Sequence, residues 1–453
     1  MKKIIIVVAL ACLMTSCGIY KNYTRPMVET DGLYGEEYIS TDTTSFGNLI
    51  WSEVFTDPHL QELIQTGLDN NTNLRIAYLK ITEAQASLRS AKLSYLPSFD
   101  LSPSGSVSSF DGAKASKSYD LPLTASWELD IFGKLTNAKK QELAALEQSE
   151  AYRQAVQSQL VANIANAYYT LLMLDSQLEI SRQTLKNWEE NIRVTRALKE
   201  AGQTNQAAVA QAEANKLEVE ASAHDLELQI SEVENTLCSL LATTPQNIGR
   251  GKLEGQSLPN ELNIGIPLQL LSNRPDVMQA EASLQQAFYY TNEARSYFYP
   301  SITLSGSMGW TNSGGGIISN PGALLWEAIG SLTQPLFNKG KNRARLNIAK
   351  AQQEQAQLTF QQTLLDAGIE VNNALATLQN ARRKVNIYES QVGQLEQAVA
   401  STRLLMTHSN TTGYLEVLTA QQSLLSAQLN QVANRFEEIQ GVINLYTALG
   451  GGR

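Results

Sequence analysis

Tyr119-Asp120-Leu121-Pro122-Leu123-Thr124-Ala125-Ser126-Trp127-Glu128-Leu129-Asp130-Ile131 carries an apolar or aromatic residue at every odd position and a polar residue or Pro122 at every even one. A period of two held over 13 residues is the pattern of a strand with one apolar and one polar face. Upstream, Phe99, Leu101, Pro103, Gly105 and Val107 alternate with Ser98, Asp100, Ser102, Ser104 and Ser106. Far downstream, Ile302, Leu304, Gly306, Met308 and Trp310 alternate with Ser301, Thr303, Ser305, Ser307 and Thr311, and 324–337 follows less cleanly. Strands are expected at about 98–109, 118–131, 301–312 and 323–337, with Gly112 and Gly314-Gly315-Gly316 in the loops between them.

Beyond each strand pair lies a rod. Thr136 to Ala201 is 66 residues without Gly or Pro, rich in Ala, Gln, Glu, Leu and Lys. As one helix it would be roughly 100 Å long at 1.5 Å per residue. Lys341 to Ser409 is its counterpart, interrupted only by Gly368 and Gly393. Gly202 to Asn205 turns the first rod into a returning helix, Gln206 to Thr243, and Asn410 to Gly413 turns the second into Tyr414 to Leu449. The rods interleave polar residues too often for a solid coiled coil with regular apolar a and d positions. They suit close helix contacts beside a wet interior.

The chain therefore states one pattern twice. Tyr95-Leu96-Pro97-Ser98 aligns with Phe298-Tyr299-Pro300-Ser301 at an offset of 203, and Ala91 with Ala294. Later the offset drifts to 208, where Val209 faces Val417, Ala212 faces Ala420 and Leu241 faces Leu449. The expected organisation is repeat 1 over 56–245, a linker over 246–261 and repeat 2 over 262–453. Helices open each repeat, as at Asp57-Pro58, where Pro stands at the first turn.

The beginning is of another kind. Met1-Lys2-Lys3, an apolar run from Ile4 to Leu13 and Met14-Thr15-Ser16-Cys17 form a lipoprotein-type secretory signal over residues 1–16, with lipid on Cys17. An extended, lipid-anchored arm over 17–55 follows. Loss of Lys2 and Lys3 takes the formal net charge from −9 to −11, which argues against a nucleic-acid partner. Cys238 is left without a disulfide partner, and no apolar run after the signal is long enough for a spanning helix.

Strands apolar on one side and polar on the other fit either a soluble sheet or one facing lipid. The lipoprotein signal, the small residues of the polar face and the lack of helices to cover the sheet favour lipid. Strands of 10 to 14 residues can cross a bilayer at a tilt. Four cannot close a barrel, and open edges in lipid cost several kcal/mol per unpaired backbone group, so closure requires other copies of the chain. The strand count does not fix how many.

Catalytic chemistry is not visible. His59, His224 and His408 lie far apart with no metal-ligand spacing, Gly314-Gly315-Gly316 is followed by no Lys-Ser or Lys-Thr, and the seven Met residues form no cluster. Neither an enzyme, a metal site nor a cofactor beyond the lipid on Cys17 is expected. The competing reading from another class is a periplasmic lipoprotein scaffold, with a coiled coil and with strands that stay in water.

The sequence resembles the TolC-like outer-membrane efflux proteins, in their NodT-like lipoprotein branch. The resemblance rests on Cys17 with Tyr23-Thr24-Arg25-Pro26, on Ala125 to Gly133, and on Asn273-Arg274-Pro275-Asp276-Val277 with Ala280-Glu281. It continues through Phe298-Tyr299-Pro300-Ser301-Ile302, Tyr414-Leu415-Glu416-Val417-Leu418 with Ala420-Gln421, and Leu449-Gly450-Gly451-Gly452. It implies a homotrimer forming a 12-stranded β-barrel and a 12-helix periplasmic α-barrel. The duct would sit in the outer membrane of a Gram-negative bacterium, with an openable tip at Gly202, Asn205, Asn410 and Gly413. A periplasmic adaptor and an inner-membrane pump, expected to be proton-driven, would be its partners. Drugs or ions would be the cargo, with protein secretion the alternative within the family. Acidic residues beside the second turn constrict the duct in this family; here Glu416 occupies one such position and Thr419 another.

Overall fold

The computed structural model describes residues 20–28, 33, 45–113, 115–256, 259, 264–265, 267–312, 323–408 and 414–452. The signal segment, Cys17, Gly314 to Gly316, Asn410 and Gly413 lie outside them. The main elements are α1 (Pro58–Asn70), α2 (Thr72–Leu93), β1 (Ser98–Leu101), β2 (Ser104–Ser108), β3 (Ser116–Leu129), α3 (Lys134–Glu200) and α4 (Gln206–Leu240). There follow α5 (Pro275–Ser296), β4 (Ser301–Asn312), β5 (Ala323–Thr333), α6 (Lys341–His408) and α7 (Tyr414–Ala448). The two rods are single helices of 67 and 68 residues. Among the described residues, no helix is long and apolar enough to cross a membrane.

The chain forms two compact units, each drawing segments from both sequence halves. The first comprises 1–28, 79–151 and 279–362 and holds the sheet. All its strand pairings are antiparallel, with β3 central between β1 and β2 on one side and β4 on the other, and β5 beyond β4. The strand expected at about 98–109 is divided. Pro103 has no N–H to offer and faces the part of β3 where Pro122 also lacks one, so the ladder breaks between Leu101 and Ser104. The last strand stops at Thr333 instead of 337, ahead of Pro335. β3 stops at Leu129 instead of 131, because Asp130 turns to cap α3 through the N–H groups of Leu135 (2.9 Å) and Thr136 (2.8 Å).

Register aligns the apolar faces of all strands. Leu101 pairs with Leu123, Leu123 with Met308 and Met308 with Trp326; Leu121 pairs with Trp310 and Trp310 with Leu324. The opposite face aligns Asp100, Thr124, Ser307 and Glu327. Pro122 meets Gly309, and there a side chain has no room: a Cβ on Gly309 would lie 2.2 Å from the Leu121 carbonyl oxygen. That close approach pins the register of β3 on β4.

The second unit, 29–78, 152–278 and 363–453, holds a large helical core with Phe55, Leu60, Ile64, Tyr168, Tyr169, Leu172 and Tyr446 fully buried. Asn71 donates to the Leu240 carbonyl (2.8 Å) and so closes the end of α4. The Asn273-Arg274-Pro275-Asp276 segment opens α5, and Arg274 joins Asp276, Glu370 and the Ala448 carbonyl. Buried Asp57 caps α1 through the His59 N–H (2.9 Å) and accepts from the Tyr168 hydroxyl (2.6 Å) and Gln256 (2.8 Å). Burial alone would raise its pKa, but these hydrogen bonds from Tyr168, Gln256 and the His59 N–H bring it below the ordinary value.

Two predictions follow from these contacts. Gly309→Val should cost about 1–3 kcal/mol by overpacking, seen as a lower thermal midpoint of the purified protein. Because Asp57 is held below its unfolded pKa, its contribution is present above the unfolded value and lost as pH falls through the folded one. Asp57→Asn should therefore flatten the acid limb of the stability profile, measured by thermal melts across pH.

Candidate functional site

The first hairpin turn is built from the sequence signals expected of it. α3 ends at Glu200, and Gly202 takes φ +72, a left-handed conformation that glycine adopts without a Cβ penalty. The N–H of Gln203 donates back to the Leu198 carbonyl (2.9 Å) and satisfies one of the last carbonyls of the helix. Asn205 then caps α4, its Oδ1 accepting from the Ala208 N–H (3.0 Å). Basic Arg193, Arg196 and Lys199 lie in the last turns of α3, where the helix dipole favours positive charge. Arg196 pairs with Glu213 across the hairpin, and the Arg193 hydrogen bond holds the Glu190 carboxyl below its ordinary range, with Arg403 adding to it.

Glu416 and Thr419 occupy the first turns of α7 and are both exposed. The Thr419 hydroxyl donates to the Leu415 carbonyl (2.9 Å). Glu416 stands in the first helical turn, where a carboxylate is also favoured by the dipole.

Sequence reasoning missed what sits beside them. Leu418 is 3% exposed and packs with Trp188 and Ile192 of α3 and Ala212 and Val219 of α4. Three residues on, the Gln421 Oε1 accepts from buried Asn191 of α3 (2.9 Å). Among the described residues the Gln421 Nε2 has no partner, and it is shut off from solvent, an arrangement that costs about 1–3 kcal/mol. The first turns of α7 are thus seated on the first hairpin by Leu418, with Leu425 packed beside it, and by one amide pair. Residues 191 and 421 are 230 positions apart, and neither periodicity nor composition signals such a pair. Among the described residues, no group of His, Cys, Asp or Glu could hold a metal ion; Cys238 is buried with a free thiol.

An amphipathic sheet whose apolar face is left exposed by the described residues, joined to two long helical hairpins, defines the class of outer-membrane channel proteins. The chain belongs to the family described as outer membrane efflux protein, whose model matches residues 63–243 and again 266–451. It is 30% identical over 454 residues to the cation efflux system protein CusC of Escherichia coli O6:H1 (strain CFT073), covering 98% of this chain and 97% of that one. It is 28% identical over 467 residues to the antibiotic efflux pump outer membrane protein ArpC of Pseudomonas putida, covering 100% and 96%. A crystal structure of CusC, described in terms of conformational changes accompanying folding and transmembrane channel formation, superposes with a TM-score of 0.88 at 28% identity, covering 96% of this chain and 99% of that one.

Truncating the seat of α7 tests its weight. Leu418→Ala should destabilise by about 2–5 kcal/mol if the cavity does not collapse, seen as a lower thermal midpoint of the purified protein.

Proposed function

We propose that three copies of this chain close into one outer-membrane duct, each giving four strands to a 12-stranded barrel and four long helices to a periplasmic tunnel. The duct is the passive exit of a tripartite efflux pump for small molecules or ions. One observation carries the reading: the apolar stripe Leu121, Leu123, Trp127, Leu304, Met308 and Trp310 shares one face of the sheet in register, and each of these side chains is more than a third exposed. In water, so large an apolar face would demand a cover; in lipid it needs none. A periplasmic scaffold with soluble strands would bury that stripe against protein.

Oligomerisation is required by the two outer edges of the sheet, β5 and the β1 and β2 side, whose backbone groups need partners in hydrocarbon. The tandem repeat is supported by two separate matches to one family model. It is further supported by equivalent hydrogen bonds: Trp127 donates to the Tyr95 carbonyl (2.8 Å), as Gln334 does to the Phe298 carbonyl (3.1 Å). Names of relatives that speak of cation and antibiotic efflux favour small cargo over secreted protein. A periplasmic adaptor and a proton-driven inner-membrane pump supply selection and energy in this reading, since Gly314-Gly315-Gly316 is followed by no Lys-Ser or Lys-Thr of a phosphate-binding loop. Cys17 carries the lipid anchor, Gly202, Asn205, Asn410 and Gly413 form the openable tips, and three copies of Glu416 bias the narrow end toward cations, with Thr419 beside them.

Native mass and planar-bilayer conductance of the detergent-extracted protein test the proposal together. A trimer that conducts, either directly or once the tips are loosened, is expected, and Glu416→Gln should lower its cation preference. A protein that becomes a detergent-free monomer on Cys17→Ser and never conducts would sink the duct.

A further inference from the structure

Charge is divided unequally between the two faces of the sheet. The five strands carry five charged residues: Asp100, Lys117, Asp120, Glu128 and Glu327. Register settles which face each one takes. Asp100 pairs with Thr124, Thr124 with Ser307 and Ser307 with Glu327, so these four share one row across the sheet. Asp120 and Glu128 lie four residues to either side of Thr124 on β3, and strand positions an even number apart share a face. All four carboxylates therefore stand on the polar face. Lys117, an odd number of residues from them on the same strand, stands on the other, opposite Val107.

A wet face does not by itself demand acids. Ser98, Ser104, Ser126, Thr303, Ser305 and Ser331 make most of this one polar without charge, and lysine or arginine would wet it equally well. Yet no base stands on that side among the described strand residues. Glu128 is met by Lys134 at 2.9 Å, and Asp120 accepts only a hydroxyl, from Thr311. Among the described residues Asp100, Asp120 and Glu327 form no ion pair, and Asp100 and Glu327 are exposed. Along β3 the carboxylate levels succeed one another at Asp120, at the Thr124 row and at Glu128, roughly 14 Å apart at about 3.4 Å per residue. That spacing is close to the screening length of about 10 Å at 0.1 M salt, so one level takes over where the field of the last fades. Asp100 and Glu327 also belong to strands at the two open edges of the sheet. Closing the ring therefore lines each seam between copies with a carboxylate-bearing strand from either side.

We propose that the polar face makes the barrel a cation-selective section of the duct, with Asp100 and Glu327 as the residues that set the preference and Asp120 supporting them. They act through their summed field on passing ions, raising the local concentration of small inorganic and organic cations and lowering that of anions, not by coordinating an ion. The inference rests on the duct reading, which turns the polar face to the lumen, and it assigns charge selection to residues other than Glu416.

Reversal potentials of the conducting trimer, with the tips loosened where conduction requires it, test this across a potassium chloride gradient in a planar bilayer. The unaltered protein is expected to prefer potassium over chloride at about 0.1 M and to lose most of that preference at about 1 M, where the screening length is about 3 Å. Asp100→Asn combined with Glu327→Gln should lower the permeability ratio by about three-fold or more, the effect of roughly one kT in the potential of the lumen. Ser307→Lys, which adds a cation to the same row, should lower it in the same direction. Lys117→Gln, on the other face, should leave it unchanged. If the double variant does not assemble, Ser307→Lys and the salt series decide. A preference that survives both row changes and disappears with Glu416→Gln overturns the proposal and leaves the duct standing. So does a preference for chloride in the unaltered protein, or a response to Lys117→Gln as large as to the row changes. A protein that neither assembles nor conducts overturns the duct reading beneath it.

Discussion

Unpaired backbone at the two outer edges of the sheet is the constraint on which the rest depends. A strand edge in water is solvated, but in hydrocarbon each free N–H and C=O has no partner to turn to. The sheet of one chain has its β3–β4 seam closed by a full antiparallel ladder, and its outer strands open. In the proposed duct, the open backbone of those outer strands is what a solitary copy could not carry into a membrane. On that reading, assembly is a condition of insertion.

Helices are bound to that sheet by matched junctions. Asp130 caps α3 immediately after β3, and Gly133, at φ +70, lets the chain turn there. After β5 the turn is made by Lys339 and Gly340, both at positive φ, while Asn342 donates to the Tyr297 carbonyl (2.6 Å). Trp127 and Gln334 tie the carbonyls that end α2 and α5 back to the outgoing strands. Different side chains perform a similar local task at the two junctions. The arm adds a further hold: Arg25 meets Glu281 with two hydrogen bonds of 2.7 Å, and Tyr23 packs edge-on against Phe288.

Legibility in the sequence followed the range of the interactions. Alternation from Tyr119 to Ile131 and the Pro-free rods are local patterns, and they place strands and helices to within a few residues. Breaks at Pro103 and Pro335 were visible as residues, yet their effect depends on which partner strand misses a donor. The register is hidden in a different way, since only the pairing of Pro122 with Gly309 reveals why that glycine has no side chain. Asn191 with Gln421 and Arg25 with Glu281 are separated by 230 and 256 residues and follow no period. Their polar side chains read, one at a time, like any solvated helix position. For Glu416 and Thr419 the sequence supplied a place on α7, and the physics of one chain supplies exposure.

The tail of the chain closes the core on its beginning. Phe46 packs edge-on against Tyr446, a Cβ on Gly47 would meet the Leu449 carbonyl oxygen at 2.5 Å, and one on Gly451 the Tyr446 ring at 2.3 Å. A polypeptide exported from its amino end thus delivers one half of this contact long before the other. Until the last dozen residues emerge, the apolar surface around Phe46 and Phe55 has no mate, and contacts of such separation form slowly. Loss of the segment from Tyr446 to Gly451 would therefore act on the packing of this helical core, away from the strands.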